Sequence, residues 1–318
     1  MTKGGPMKKR NHRYIQWNGL LFTICCTVLL VVLSGMSSLY AQDALPDIPS
    51  GHRRGKNCDT LYLRSQRTDT VKIPLITFPA AFRQLKENEL TDSLGLLKPF
   101  WEKLHRLYIG VSADTVRIVH VGDSHIRGHI FPRTVGELMQ HTFGAVSYTD
   151  VGINGASCVT FTQSGRIEEI AALHPDLLIL SFGTNESHNR RYNILLHYHQ
   201  IDDLVRMLRD KLPGVPMLMT TPPGSYESFR QSRRHYVYKI NPRTSVAVQT
   251  ISRYADENGL AVWDMYEILG GTRRACLNWK EAGLMRPDHV HYLPDGYRLQ
   301  GELFHQALLK AYNDYVEY

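Results

Sequence analysis

Cysteine is scarce in this chain of 318 residues. Five are present, and two of them, Cys25 and Cys26, sit inside an apolar run near the N-terminus. The other three, Cys58, Cys158 and Cys276, are odd in number and widely spaced. That excludes a disulfide framework, although one bridge stays possible. There is no Cys-x-x-Cys pair and no Cys/His cluster, so no structural metal is expected. The chain also lacks internal repeats, low-complexity segments and long basic runs. Its formal charge is +7, but Lys3, Lys8, Lys9, Arg10 and Arg13 all precede Gln42, with no acid among them. Two net positive charges remain for everything after. A nucleic-acid-binding protein carries a basic face or stripe, and this distribution predicts no nucleic-acid partner.

What is present can bury a full core, with 43% apolar and 10% aromatic residues. The N-terminus has a basic stretch, an apolar run from Leu20 to Leu33, and small residues up to Ala41. This is the pattern of an export signal, with Ala41 as its last residue. A second reading stays open: residues 19–41 could nearly span a bilayer, and residues 14–41 would then anchor the protein. In both readings the positive flank stays inside. The product is exported, periplasmic or anchored to the outer face of the inner membrane. The chain therefore divides into residues 1–41 as signal peptide or signal anchor, 42–110 as a linker and N-terminal extension with a helix, and 111–318 as the principal domain. From 42 to about 70 the sequence is polar and linker-like. Pro74 allows at most an edge strand over 71–78. A helix is expected from Pro99 to Tyr108, ended by Gly110.

From there strands and helices alternate. Strands are expected at 116–121, 145–151, 176–182, 215–220 and 260–264. Helices are expected at 132–142, 166–173, 193–212, from Pro242 to Asn258, and 294–315. In the helix at 193–212, Leu195, Leu196, His199, Leu204, Val205 and Leu208 are the expected buried positions. This alternation implies an α/β three-layer sandwich, a central parallel sheet flanked by helices, in the flavodoxin-like manner.

Three short words carry the chemistry: Gly122-Asp123-Ser124-His125, Gly183-Thr184-Asn185-Glu186 and Asp288-His289-Val290-His291. The first two begin where an expected strand stops, and ligands of open α/β sheets gather outside the carboxyl ends of the strands. A serine, an asparagine and an Asp/His pair can thus converge on one rim. Together they supply a nucleophile, an oxyanion donor, and a base with its orienting acid. The Gly-x-Ser-x-Gly elbow is absent, because Ile126 stands where it needs glycine. Read singly, each word is an ordinary turn or helix cap; their joint order favours catalysis.

Gly122-Asp123-Ser124, Gly155, Asn185 and Asp288-x-x-His291 resemble the four blocks of the SGNH (GDSL) hydrolases, in the family's order, from about Thr115 to the C-terminus. The forms Gly-Asp-Ser-His, Gly-Ile-Asn-Gly-Ala and Gly-Thr-Asn-Glu are most similar to the envelope branch that includes peptidoglycan O-acetylesterases. The resemblance implies Ser124 as nucleophile, His291 as base and Asp288 as its partner. It implies an oxyanion hole of the Ser124 N–H, the Gly155 N–H and the Asn185 side chain, with Gly152 as a weaker rival to Gly155. It implies neither cofactor nor metal. A metal reading of His120, His125 and His289 with Asp123 has no recognised ligand spacing behind it. Trp279, Tyr226 and Tyr292 are candidates for sugar stacking, though aromatics serve more often in cores. Cys158 reads as a small buried residue.

The function expected is an exported serine esterase that removes acetyl or another short acyl group from a cell-envelope glycan. Its partner would be an acylated glycan or a small ester. A lipid-directed esterase or thioesterase, an acyltransferase to a glycan, and a non-catalytic glycan-binding module are the alternatives. Nothing in the sequence specifies the oligomeric state.

Overall fold

Val116, Ile118, Val119 and Val121 put apolar side chains on both faces of one strand because both faces of the sheet it enters are covered. Residues 69–163 and 165–317 are described in the computed structural model. The expected export signal, the linker up to residue 68 and Cys58 lie outside them. In chain order the elements are α1 (Lys98–Tyr108), β1 (Val116–Gly122), α2 (Ser124–Arg127), α3 (Ile130–Phe143), β2 (Val146–Gly152), α4 (Cys158–Phe161), α5 (Arg166–Ala171), β3 (Leu177–Ser181) and α6 (Thr184–His188). There follow α7 (Ile194–Lys211), β4 (Met217–Thr220), β5 (Tyr226–Arg230), β6 (Tyr236–Ile240), α8 (Pro242–Asn258), β7 (Ala261–Trp263), α9 (Met265–Ile268), α10 (Gly271–Glu281) and α11 (Pro294–Glu317).

Five strands form one parallel sheet in the order β2-β1-β3-β4-β7. Side chains alternate across it with the period of two that a strand imposes. Ile118 and Ile179 face Phe100, Phe131, Trp263 and Phe304, under α1, α3 and α11. Val119, Val121, Leu178 and Leu180 face Phe161, Ile201, Leu204 and Tyr254, under α4, α7 and α8. This is the three-layer α/β sandwich the sequence implies. The chain leaves β1 toward β2 on one side and returns to β3 on the other. The C-terminal ends of β1 and β3 therefore border the crevice where the strand order reverses, the usual ligand position in such sheets.

The stretch before α1 has no regular strand. It is held against the sheet by discrete contacts: Asn313 pairs with both the N–H and the C=O of Val71, Asn88 accepts from the Trp263 indole, and Thr91 bridges Val262 on edge strand β7. The bridge covers part of an edge that would otherwise be open to pairing. Val71, Phe82 and Leu97 join the same core as Phe100 and Leu104.

The structure departs from expectation in helix α10 and the short helices α2, α4, α6 and α9, where no element is expected, in the face of α7 and in the hairpin β5–β6. In α7, Leu195, Leu196 and His199 are exposed, and His197 and Ile201 are buried with Leu204, Val205 and Leu208. The buried set at 197, 201, 204, 205 and 208 is one helical face; at 3.6 residues per turn Leu195, Leu196 and His199 lie roughly 120° or more away from it. Strands β5 and β6 form an antiparallel hairpin between β4 and α8 in the chain, where no strand is expected.

Two glycines seat the short helix α2. A Cβ on Gly152 would lie 2.2 Å from the Arg127 backbone nitrogen and 2.6 Å from its Cα, and one on Gly122 would lie 2.4 Å from Ile126 Cγ1. Backbone cannot yield as a side-chain tip can. Gly152→Ala is therefore expected to cost about 3 kcal/mol by overpacking, lowering Tm by roughly 10 °C for a domain of this size. An alanine variant with unchanged Tm would mean that α2 does not rest on the end of β2.

Candidate active site

Chain termination places Ser124. β1 stops at Gly122, and the Asp123 carboxylate accepts the His125 N–H at 2.9 Å, capping α2. Ser124 is thus the first helical residue, and its own N–H belongs to the end that has no intrahelical acceptor. Its Oγ lies 2.9 Å from His291 Nε2, a residue 167 positions away in sequence.

The loop before α11 sets the imidazole. Asp288 Oδ1 accepts the N–H of Val290 at 2.8 Å and of His291 at 2.9 Å, while its Oδ2 lies 3.0 Å from His291 Nδ1. An ionised carboxylate only accepts, so Nδ1 carries the ring proton and Nε2 is left with a lone pair toward Ser124. Burial pushes the Asp288 carboxyl up, but hydrogen bonds from the His291 and Val290 backbone and from the His291 ring outweigh it, and the net shift is downward. The tight loop is made possible at His289, whose φ of 57° is a strained value for a side chain of this size. Its N–H donates to Arg286 O, its C=O accepts from Tyr226 N–H, both at 2.9 Å, and its ring stacks on Tyr238 with centroids 4.2 Å apart.

Asn185 stands in the first turn of α6, just past β3. Its Nδ2 donates to Ala156 O at 2.8 Å and, at a longer 3.3 Å, to Asp123 Oδ2. The first bond holds the amide plane and the second is the weaker. Ser124, Asn154, Gly155, Asn185, Arg286 and His291 all line one cavity of about 490 Å³. Gly155 reaches it by a turn at φ 71°. Gly152 is absent from this wall, because it ends β2 in register with Gly122. The structure therefore brings Ser124, Gly155, Asn185, Asp288 and His291 together.

Behind the wall the groups are buried and tuned by it. Burial, aided by Glu186, pushes the Asp123 carboxyl up to about 7, against the lowering hydrogen bonds from the His125 N–H and Thr184. The sign follows: an acid whose folded value exceeds its unfolded one binds an extra proton on folding, so stability falls as pH rises from about 4 to about 7. Asp123→Asn keeps an oxygen for the His125 N–H and removes that titration. The variant is expected to gain Tm relative to the parent at pH 8 and to lose this advantage at pH 4. Parallel Tm curves across that range would mean Asp123 is ionised in the fold throughout.

The histidines expected for a metal reading are otherwise engaged. His120 is fully buried, with Nδ1 2.7 Å from the Tyr148 hydroxyl and Nε2 2.6 Å from Ser181 Oγ. His125 lies 3.0 Å from the Tyr297 hydroxyl and its ring sits 5.4 Å from that of His291. Burial lowers both to about 3, so both are neutral at any working pH. His125 thus backs the His291 ring without adding charge, a role invisible in the word Gly-Asp-Ser-His. Among the described residues, Cys158, Glu186 and His197 could each offer a ligand atom within 4.8 Å of the others. Burial and Glu186 hold the Cys158 thiol well up, however, and the Glu186 carboxylate already accepts the N–H groups of Cys158 and Gly183. Cys158 and Cys276 are both free and buried. Trp279, Tyr226 and Tyr292 are core residues and offer no sugar platform.

The GDSL-like Lipase/Acylhydrolase family pattern matches residues 120–299. No curated protein matches. Among solved structures, a peptidoglycan O-acetylesterase superposes with a TM-score of 0.63 at 19% identity, covering 71% of this chain and 99% of that one. A GDSL-like lipase from Bacteroides thetaiotaomicron gives 0.45 at 20% identity, with 66% and 98% covered. A lipase/acylhydrolase from Enterococcus faecalis gives 0.44 at 17%, with 62% and 97% covered. At these identities the likeness is one of fold.

Proposed function

The chain belongs to the GDSL-like lipase/acylhydrolase family, and from that premise we propose that it is an exported serine esterase that removes acetyl or another short acyl group from a cell-envelope glycan. The observation that carries the chemistry is the hydrogen-bonded line Ser124–His291–Asp288 at the rim of a cavity that also holds Gly155 and Asn185. Ser124 Oγ attacks the ester carbonyl carbon and its proton passes to His291 Nε2. The N–H groups of Ser124 and Gly155 hold the resulting oxyanion. So does the Asn185 N–H that now makes the longer contact with Asp123. Collapse breaks the bond to the glycan oxygen, which leaves with the proton from His291. Water, deprotonated by the same nitrogen, then frees the acyl group and restores Ser124.

A lipid-directed reading has one observation on its side. Exposed Leu196 borders a second hollow of about 240 Å³ that shares Gly155 and Asn185 with the first. That hollow is otherwise lined by polar groups such as Asn189, Arg191, Asn193 and Gln200. A panel of acetylated peptidoglycan, acetyl-xylan, 4-nitrophenyl acetate and a long-chain 4-nitrophenyl ester separates the two. Acetate release from a glycan, with the acetate ester preferred to the long-chain one, is the expected result. A preference for the long chain would overturn the short-acyl reading.

Export rests on the basic flank, the apolar run and Ala41, all outside the described residues. No helix among those described is long and apolar enough to cross a membrane. N-terminal sequencing of material from the cell envelope is expected to begin near Gln42, or to find residues 14–41 retained on a membrane-held protein. A soluble, uncleaved cytoplasmic product would refute export.

A further inference from the structure

The ester cavity is lined by two arginines, Arg127 and Arg286, and by no acidic residue. Arg286 is exposed, and its backbone is pinned on both sides to the Asp288–His291 loop, donating to His291 O and accepting from His289 N–H. Among the described residues its side chain makes no hydrogen bond and no ion pair. Arg127 leans on the His129 ring, which in turn pairs with Asp150. A fixed backbone with a free guanidinium beside Ser124 is an arrangement for a carboxylate that arrives with the substrate.

The hairpin β5–β6 extends this charge. Residues 230–239 hold four Lys or Arg and no acid, with Arg230, Arg233 and Arg234 at the far end and Lys239 paired across from Glu227 near the base. The hairpin's one acid, Glu227, is taken by Arg243 at 2.7 Å. Arg233, Arg234 and Lys239 are exposed and without an ion-pair partner among the described residues. The middle of the hairpin is tied to both sides of the site. Tyr238 stacks on His289, and Arg190, two residues beyond α6, lies over Phe229 with its charge 5.3 Å from the ring centroid. Each strand has five residues, so the tip stands about 15 Å from its base. A small ester does not reach that far, and a polymer does.

We propose that the substrate is a polyanion, a carboxylate-bearing glycan. Arg286 and Arg127 grip a carboxylate next to the ester, and the basic hairpin holds the chain farther along. The proposal rests on the esterase reading for its acyl chemistry but not for its charge. A membrane is the poorer fit for the same cations, because Tyr236 is the one large apolar side chain exposed on the hairpin and there is nothing aliphatic to insert.

Two acetylated polymers differing in charge test it: acetylated polygalacturonan and acetylated glucomannan. The parent is expected to prefer the charged polymer, and the preference is expected to weaken with added salt. Arg286→Gln should reduce the ratio of the two kcat/KM values about tenfold or more, the scale of one charge-assisted contact. Arg233→Gln/Arg234→Gln should reduce it severalfold. Equal losses on both polymers, or an unchanged ratio, would overturn the proposal.

A second readout uses no ester. Ser124→Ala protein in an affinity gel of unacetylated polygalacturonate should be retarded, and adding Arg286→Gln/Arg233→Gln/Arg234→Gln should release it. Retardation without acetate release from any glycan would sink the esterase reading and leave the anion site standing. An unretarded Ser124→Ala protein would sink the anion site, as would tighter binding to phosphatidylglycerol vesicles than to the polymer.

Discussion

Ser124→Ala is expected to reduce turnover of 4-nitrophenyl acetate by about five to six orders of magnitude, the loss seen when a nucleophile that acts as a unit with its base is removed. The expectation comes from what the hydroxyl does. Its hydrogen-bond contact is His291 Nε2 at 2.9 Å, and no other side chain reaching the same nitrogen could attack in its place. The fold should not notice. Ser124 occupies the first position of α2, the cap is supplied by Asp123, and alanine is a better helix former than serine. Tm should therefore stay within about 2 °C of the parent, a shift below 1 kcal/mol for a domain of this size. A fluorophosphonate should label the parent at Ser124 and fail to label the variant. An alanine variant with the parent's Tm and most of its turnover would remove Ser124 from the mechanism.

Asp288→Asn should cost about four orders of magnitude in kcat while leaving the loop in place. Asparagine can keep Oδ1 facing the N–H groups of Val290 and His291, so the turn survives. It then presents an NH2 group to His291 Nδ1, where the carboxylate accepted a hydrogen bond. Two donors cannot face each other, so the imidazole proton moves to Nε2. That nitrogen then points a proton at Ser124 Oγ and cannot take one from it. The parent should be insensitive to Asp288 titration in the assay range. Its carboxyl is held below the ordinary value of 3.8, so the stability it contributes is present above that value and lost as pH falls through the lowered one. The decisive measurement is a pair, kcat and a spectrum of the His291 ring nitrogens. A variant with full kcat, or one with the parent's tautomer and a large loss, would show that Asp288 does not act through the tautomer.

The five sheet strands were legible because both faces of the sheet are covered. Residues 116–121 and 176–182 are nearly unbroken apolar runs, and only a buried parallel strand or a buried helix demands that. The site words were legible because chemistry in such a sheet sits at strand ends, and the ends are where the runs stop. The hairpin was not. Tyr226–Arg230 and Tyr236–Ile240 are joined by Gln231-Ser232-Arg233-Arg234-His235, which contains none of the Gly, Pro, Asn or Asp residues that mark a turn. The face of α7 has another reason. Leu195, Leu196 and His199 are apolar or ring-bearing but lie roughly 120° or more around the helix from the face of Leu204, Val205 and Leu208, and phase outweighs composition.

By itself the sequence determined the layers, the succession of the five sheet strands and the longest helices, and which residue types could do ester chemistry, since these follow from local periodicity and from words a few residues long. The tertiary structure decided what stands beside what. It set Ser124 against His291 across 167 residues, moved Gly152 into a packing role and Gly155 to the cavity wall, and sealed His120, Trp279 and Tyr292 in the core. It also brought Arg127 and Arg286, 159 positions apart, to one opening. Contacts between distant segments depend on the register and twist of the whole sheet, and on which helix covers which face, and no short window of sequence contains that information.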